Sequence, residues 1–133
     1  MFDFLTNNLR IRPEHILVFG RSIGSGAACN LSGNRSSVSN LLLLSPLFSV
    51  DKIIKDKVGW VKMFTCMQNF FNNEESVRNT KARLLMVHGR KDNVIPVQHG
   101  IDLVKVVHTV NLGLQRNASH QTRACSAIEY GSQ

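Results

Sequence analysis

The stretch Gly20-Arg21-Ser22-Ile23-Gly24 decides the fold that this sequence predicts. It follows the apolar run His15 to Phe19, which is typical of a buried strand, and it precedes the small-residue stretch Ser25 to Ala28. Small residues on both sides of Ser22 let a strand and the helix after it approach closely, because glycine brings no Cβ into the contact. The sequence therefore predicts a sharp strand-to-helix turn that keeps the hydroxyl of Ser22 exposed.

The rest of the chain alternates between apolar runs and clusters of turn formers. Further strands are predicted at Asn40 to Ser45, at Leu84 to His88 and, in a more polar stretch, at Thr109 to Leu114. Helices are predicted at Phe2 to Leu9, at Ser25 to Leu31 with fraying over Ser32 to Asn34, and at Val97 to His108. This alternation predicts an α/β fold with a mostly parallel sheet flanked by helices.

Size and composition indicate one globular domain. The chain has 133 residues, 43% of them hydrophobic, and none of its apolar runs approaches the roughly 20 residues of a membrane helix. The first residues, Met1 to Asn7, have neither a basic leader nor an apolar signal core, so we expect a cytoplasmic protein. The three cysteines, Cys29, Cys66 and Cys125, lack metal-ligand spacing, so we expect reduced thiols and no metal or other cofactor.

The net charge of +7 is spread along the chain, and aromatic residues make up only 7% of it, so nucleic-acid binding is not expected. The exception is Val50 to Lys62, where apolar residues recur at helical spacing and four lysines fall mostly on other faces. Two interpretations stay open for this segment. It is either a solvated helix packed on its own domain or, over residues 50–64, a peripheral contact with a membrane surface.

A serine hydroxyl is a weak nucleophile. Acyl transfer to Ser22 would therefore require a base at its hydroxyl and an acid that fixes the tautomer of that base. Asp92 lies in the loop after the Leu84 to His88 strand, and such loops share one edge of a parallel sheet with the turn at Ser22. His120 follows the predicted fourth strand and is expected at the same edge. The other histidines have simpler explanations as strand, helix or opposite-edge residues: His15, His88, His99 and His108.

Three segments resemble the α/β-hydrolase domain-containing protein 17 group: residues 14–26, 43–47 and 85–100. The resemblance implies a serine hydrolase that removes acyl groups, of the palmitoyl-thioester type, from an acylated protein or lipid. By resemblance, Ser22 is the nucleophile, Asp92 the acid and His120 the base. The backbone N–H of Ile23, the residue after the nucleophile, is the expected oxyanion donor.

The chain also departs from that group. It opens at the helix before the strand that carries Ser22, without the family's first strands and the loop that supplies a second oxyanion donor. We therefore expect a partial α/β-hydrolase fold, a single truncated domain over residues 1–133 with 47–79 as a lid-like insertion. Ile16 to Phe19 is then expected to form an exposed apolar edge, and the activity to be low.

Two other functions remain as alternatives. The chain could be a non-catalytic remnant that binds a membrane surface or a protein partner. A phosphate-binding loop over Gly20 to Gly26 is disfavoured, because the lysine of a P-loop is missing. The sequence gives no indication of oligomeric state.

Overall fold

The computed structural model describes residues 1–49, 72–117 and 125–130, and side chains are described for 1–49 and 72–109. Its sheet has the strand order β1 (Leu17–Arg21), β2 (Asn40–Leu44), β3 (Arg83–Gly89) and β4 (Cys125–Tyr130). The connecting helices are α1 (Gly24–Asn34), α2 (Asn73–Asn79) and α3 (Gln98–Asn117). A π-helix over Phe4–Asn8 and a 3-10 turn over Pro13–His15 precede β1. All neighbouring strands are parallel, which confirms the predicted α/β class.

The described helices cover one face of the sheet. Alternate residues of the two central strands point to that face and are almost completely buried: Leu41, Leu43, Leu84 and Met86. They share a single hydrophobic core with Cys29 of α1 and Leu103 of α3. Burial raises the pKa of the Cys29 thiol to about 12, so this cysteine is a neutral core residue at physiological pH.

The opposite face of the sheet is also apolar. Leu17 and Phe19 of β1 are 58% and 55% exposed, and Leu42 and Leu44 of β2 are only partly buried. Within the described sheet β1 pairs with β2 alone and forms an edge. The expected exposed apolar edge is therefore present at Leu17 and Phe19, whereas Ile16 and Val18 pack against the core. An exposed edge of this kind is a template for association with another surface.

Helix α1 extends through Asn34 and does not fray at Ser32, so that expectation was wrong. The extra turn is stabilised by packing against α2. The buried hydroxyl of Ser32 is hydrogen-bonded to that of Thr80, just after α2. A Cβ added to Gly33 would lie 2.8 Å from the backbone oxygen of Ser76, so only glycine permits this approach of the two helices.

The prediction of a strand at Thr109 to Leu114 was also wrong, because α3 continues without interruption to Asn117. Its residues Leu103, Val106 and Val107 are buried at helical spacing. The strand that pairs with β3 is instead Cys125–Tyr130, which the sequence analysis did not predict. In the part of the chain that the structure describes, no helix has both the length and the apolar content needed to cross a bilayer.

Residues 50–71, including the predicted basic helix, lie outside the described residues. The two residues that flank them are paired, since Ser49 and Asn72 form an isolated antiparallel bridge. The two ends of the described chain on either side of this segment therefore lie next to each other. That residues 47–79 act as a lid-like insertion stays a prediction.

Sheet and helix approach each other closely at Gly20. A Cβ added there would stand 2.7 Å from the Cβ of Ala28 and 2.8 Å from the Cα of Ser25, both in α1. Gly24, the other glycine of the pentapeptide, has room for a Cβ, with no described atom within 4 Å. The first glycine is thus required by packing, and the second is not required by its described neighbours.

Replacing each glycine by alanine separates these two situations. Gly20→Ala forces β1 and α1 apart, so we expect the free energy of unfolding to fall by about 1–3 kcal/mol. Gly24→Ala places a better helix former in open space, so we expect no loss and a gain of up to about 1 kcal/mol. Urea denaturation followed by circular dichroism measures both. Equal losses in the two variants would contradict the packing described here.

Candidate active site

Ser22 occupies a sharp turn between β1 and α1. Its φ of 52° lies in the left-handed region, which costs a serine about 1–2 kcal/mol and is therefore uncommon outside sites with a special role. Two hydrogen bonds fix the turn. The Ser22 N–H donates to the carbonyl of Leu44 at 2.9 Å, and its own carbonyl accepts from the Ser25 N–H at 3.0 Å. The predicted strand-to-helix turn is present, with Ser22 partly exposed at its tip.

The next residue provides a candidate donor for a developing negative charge. Among the described residues, the backbone N–H of Ile23 has no acceptor, while its carbonyl accepts from the Gly26 N–H at 3.1 Å. An N–H directly after the nucleophile is the first of the two oxyanion donors of such a turn. The arrangement can therefore support an oxyanion beside the hydroxyl of Ser22.

Asp92 is held in a tight loop directly after β3. Its N–H donates to the carbonyl of Gly89 at 3.1 Å, and its Oδ1 accepts from the N–H groups of Val94 and Ile95, each at 2.8 Å. Partial burial by itself would raise the pKa of this carboxyl. The hydrogen bonds from the Ile95 and Val94 N–H groups and from the Ser45 hydroxyl, with a smaller effect of His88, outweigh burial and lower the pKa of Asp92 below its usual value.

His88 fixes the far side of that loop. Its ring is 4% exposed, and its Nε2 lies 2.9 Å from the carbonyl oxygen of Ile95. Since a carbonyl only accepts, Nε2 carries the hydrogen, and the buried Nδ1 has no partner among the described residues. Gly100 of α3 makes room for the ring, because a Cβ there would lie 2.7 Å from Nδ1. His88 thus positions the Asp92 loop, in agreement with the predicted core or turn role.

A buried polar cluster lies behind the turn at Ser22. The hydroxyl of Ser25 accepts hydrogen bonds from the Leu47 N–H at 3.2 Å and from the Asn73 side-chain amide at 3.1 Å. The same amide donates to the Leu47 carbonyl at 2.9 Å. Ser25 and Asn73 are fully buried, and these bonds pair the Ser25 hydroxyl and the Asn73 amide nitrogen, while the Asn73 Oδ1 has no partner among the described residues. The cluster ties the start of α1 to the chain after β2 and to the start of α2.

Ser22 and Asp92 lie at the same edge of the sheet. Arg21 at the end of β1 pairs with Leu44, and Leu44 pairs with Val87 near the end of β3. Two strand spacings separate β1 from β3, which is about 10 Å. The expected placement of the serine turn and the acid-bearing loop at one edge is thus observed.

The four described histidines lie in other environments. His15 lies before β1 at the opposite edge, and His108 is exposed on α3. His99 is fully buried, and its Nδ1 accepts from the Phe48 N–H at 3.1 Å. His88 is buried against Ile95. In the described ranges no three His, Cys, Asp or Glu side chains are grouped as a metal site.

His120 lies outside the described residues, so its role stays a prediction. His120 was expected at the edge of Ser22 because a fourth strand was predicted before it, at Thr109 to Leu114. The structure places β4 after it, and the first residue of β4, Cys125, pairs with Leu84 near the amino end of β3. The position of His120 after a strand therefore no longer supports its role as the base. Only the resemblance to the family supports it.

Sequence reasoning missed a second unusual serine. Ser45 follows β2 directly and has a φ of 45°, so it is left-handed like Ser22. Its N–H donates to the carbonyl of Val87 in β3 at 2.8 Å. In the same way, the N–H of Ser22, at the end of β1, donates to Leu44 in β2. The Ser-Pro pair that closes an apolar strand was the signal in the sequence.

Known proteins resemble this chain in sequence and in fold. No protein-family model matches the chain. Over 93 residues the chain is 30% identical to the alpha/beta hydrolase domain-containing protein 17B of Xenopus laevis, covering 70% of this chain and 31% of that protein. It is 28% identical to a putative alpha/beta hydrolase of Acanthamoeba polyphaga mimivirus, covering 74% of this chain and 35% of that protein.

Solved structures show the same fold. An acylaminoacyl peptidase of Pyrococcus horikoshii superposes with a TM-score of 0.73 at 12% identity, covering 99% of this chain and 22% of that one. The chain spans less than half the length of the curated relatives it matches. In sequence and in fold, this chain is a relative of the α/β hydrolases and contains a part of the α/β-hydrolase fold.

Proposed function

We propose that the chain carries the nucleophile of a serine hydrolase that cleaves acyl esters or thioesters through an acyl-serine intermediate. The observation that carries this proposal is the left-handed conformation of Ser22 in the turn between β1 and α1, a turn that two backbone hydrogen bonds fix. Asp92, ionised and at the same edge, supports it, as does the N–H of Ile23, which has no acceptor among the described residues.

In the proposed reaction, His120 accepts the proton of the Ser22 hydroxyl as its Oγ attacks the acyl carbonyl carbon. Asp92 orients the imidazole and stabilises its protonated form. The carbonyl oxygen becomes an oxyanion, which accepts a hydrogen bond from the N–H of Ile23. His120 then protonates the leaving alcohol or thiol, and water releases the acid from Ser22 by the same steps. No cofactor enters this scheme.

Thioester deacylation is the specific reaction that we propose, with an acylated protein or lipid as substrate. Its support is the resemblance of residues 14–26 and 85–100 to the protein 17 group, together with 30% identity to the Xenopus relative. The relatives extend well beyond the matched part. A second oxyanion donor would therefore come from outside the described residues, and with Ile23 alone turnover would be lower by about 10²- to 10³-fold.

Binding without catalysis is the second candidate. The half-exposed Leu17 and Phe19 at the edge of the described sheet favour it, because an apolar edge strand associates readily with another surface. Membrane contact through residues 50–64 belongs to the same candidate and rests on their sequence alone. Binding to anionic vesicles that survives Ser22→Ala and is lost on neutralising Lys52, Lys55 and Lys57 would favour this candidate.

A fluorophosphonate probe tests the nucleophile directly. We expect one labelled site, on the peptide that contains Ser22, because a serine with an adjacent base reacts where ordinary hydroxyls do not. Ser22→Ala should lose the label, and the matched control Ser37→Ala, at an exposed serine before β2, should keep it. Absence of label in a sample whose circular dichroism shows a folded chain would contradict the proposal.

The remaining members of the triad are tested by hydrolysis of a palmitoyl thioester. Asp92→Asn and His120→Gln should each lower kcat by about 10³- to 10⁴-fold, because each removes the proton relay and leaves the oxyanion donor. His108→Gln, on an exposed face of α3, is the control and should leave kcat unchanged. Wild-type kcat in the His120→Gln variant would exclude His120 as the base.

A further inference from the structure

His88 is a buried polar residue that the proposed mechanism does not use. Its Nε2 donates to the carbonyl of Ile95 at 2.9 Å, while its buried Nδ1 has no partner among the described residues. A buried polar atom without a partner destabilises a fold, so an imidazole in this state needs a compensating role. An apolar side chain of similar volume would fill the same space without an unpaired nitrogen. The bond to Ile95 is therefore the feature that the imidazole adds.

Ile95 connects two parts of the candidate site. Its N–H donates to Oδ1 of Asp92 at 2.8 Å. Its buried side chain forms a small hydrophobic cluster with Leu47, and the Leu47 N–H donates to the buried hydroxyl of Ser25 at 3.2 Å. Ser25 lies in the first turn of α1, where its N–H donates to the carbonyl of Ser22 at 3.0 Å. A displacement of Ile95 would therefore reach both the Asp92 carboxylate and the serine turn.

The imidazole that holds Ile95 is itself placed by helix α3. Gly100, in the first turn of α3, packs against the ring, and a Cβ added there would lie 2.7 Å from Nδ1 and 3.3 Å from Cγ of His88. Because a Cβ does not approach another heavy atom as closely as 2.7 Å, a larger residue at this position would push the ring away. The glycine therefore permits the ring position from which Nε2 reaches Ile95.

We propose that His88 is a positioning residue for Asp92 and that it acts through Ile95, fixing the carboxylate relative to the serine turn. This inference rests on the proposed function, because its consequence for turnover requires Asp92 to act behind a base. His88 takes no part in proton transfer in this role. It holds one loop residue, and that residue holds the acid by its N–H and contacts Leu47 by its side chain.

Four variants test the role of His88. His88→Leu removes the donor to Ile95, whereas His88→Gln is the conservative variant, because its amide nitrogen can stand near the position of Nε2 and donate the same bond. Gly100→Ala keeps the imidazole and displaces it, so it tests the same contact by a second route. Gly33→Ala is the matched control, since its Cβ would lie 2.8 Å from the backbone oxygen of Ser76, in the contact between α1 and α2.

The ionisation of Asp92 reports on the loop, and NMR titration of its carboxyl carbon in the full chain measures it. Partial burial by itself would raise the pKa of Asp92, whereas the hydrogen bonds from the Ile95 and Val94 N–H groups lower it below its usual value. Weakening the Ile95 bond should therefore raise the midpoint. Arg90 and Lys91, the charged neighbours of Asp92 in sequence, are unchanged in all four variants.

We expect the Asp92 midpoint to rise in His88→Leu and Gly100→Ala and to stay in place in His88→Gln and Gly33→Ala. With a palmitoyl thioester as substrate, kcat should fall by about 5- to 10-fold in the first two variants with KM unchanged, because one hydrogen bond that orients the acid is lost. In the other two variants kcat should stay within about twofold of the wild-type value. Urea denaturation of the same samples gives the change in stability.

An unchanged midpoint in the folded His88→Leu or Gly100→Ala variant would overturn the proposal, and so would a raised midpoint with unchanged kcat in an active chain. A rise of equal size in His88→Gln would also contradict it, because the effect would then come from the charge of the imidazole and not from its bond to Ile95. A purely structural role would lower stability, as in Gly33→Ala, without moving the midpoint. If the wild-type chain does not hydrolyse the thioester, the proposed hydrolysis fails, while a raised midpoint still supports His88 as the residue that positions Asp92.

Discussion

The structure depends on one close contact, the approach of α1 to β1 at Gly20. Because no side chain separates them there, the chain must reverse within Ser22 and Ile23, and Ser22 takes up a left-handed conformation to do so. The reversal turns the Ser22 N–H toward Leu44 and leaves the Ile23 N–H without a described acceptor. The partly exposed position of Ser22 and the Ile23 N–H without a described acceptor are therefore both consequences of this turn.

The neighbouring elements maintain that contact. The buried bonds among Ser25, Leu47 and Asn73 anchor the first turn of α1 to the chain after β2, so the helix cannot withdraw from the sheet without losing them. On the other side, His88 holds Ile95 and thereby the loop of Asp92. Buried polar groups of this kind are costly when unpaired, which makes the arrangement around the edge specific.

Sequence reasoning succeeded where local signals agree with the fold. The apolar strands β1 to β3, the turn at Ser22 and the loop of Asp92 follow from short runs bounded by glycine, serine and proline. It failed at Thr109 to Leu114, where moderate apolarity without a stop signal fits either a strand or a continuing helix, and α3 continues. It also missed Ser45, whose signal was the Ser-Pro pair that closes β2, and Asn73, because a tertiary hydrogen bond has no local signature in one sequence.

The left-handed conformation of Ser22 is the central claim, and the stabilities of Ser22→Gly and Ser22→Ala test it most directly. In a left-handed position alanine bears a penalty of about 1–2 kcal/mol that glycine avoids, which exceeds the entropic cost of glycine, about 0.5–1 kcal/mol. Urea denaturation should therefore show the glycine variant to be at least as stable as the alanine variant, by up to about 1 kcal/mol. An alanine variant more stable by about 0.5–1 kcal/mol would mean that Ser22 has an ordinary negative φ, and the account of the turn would be wrong.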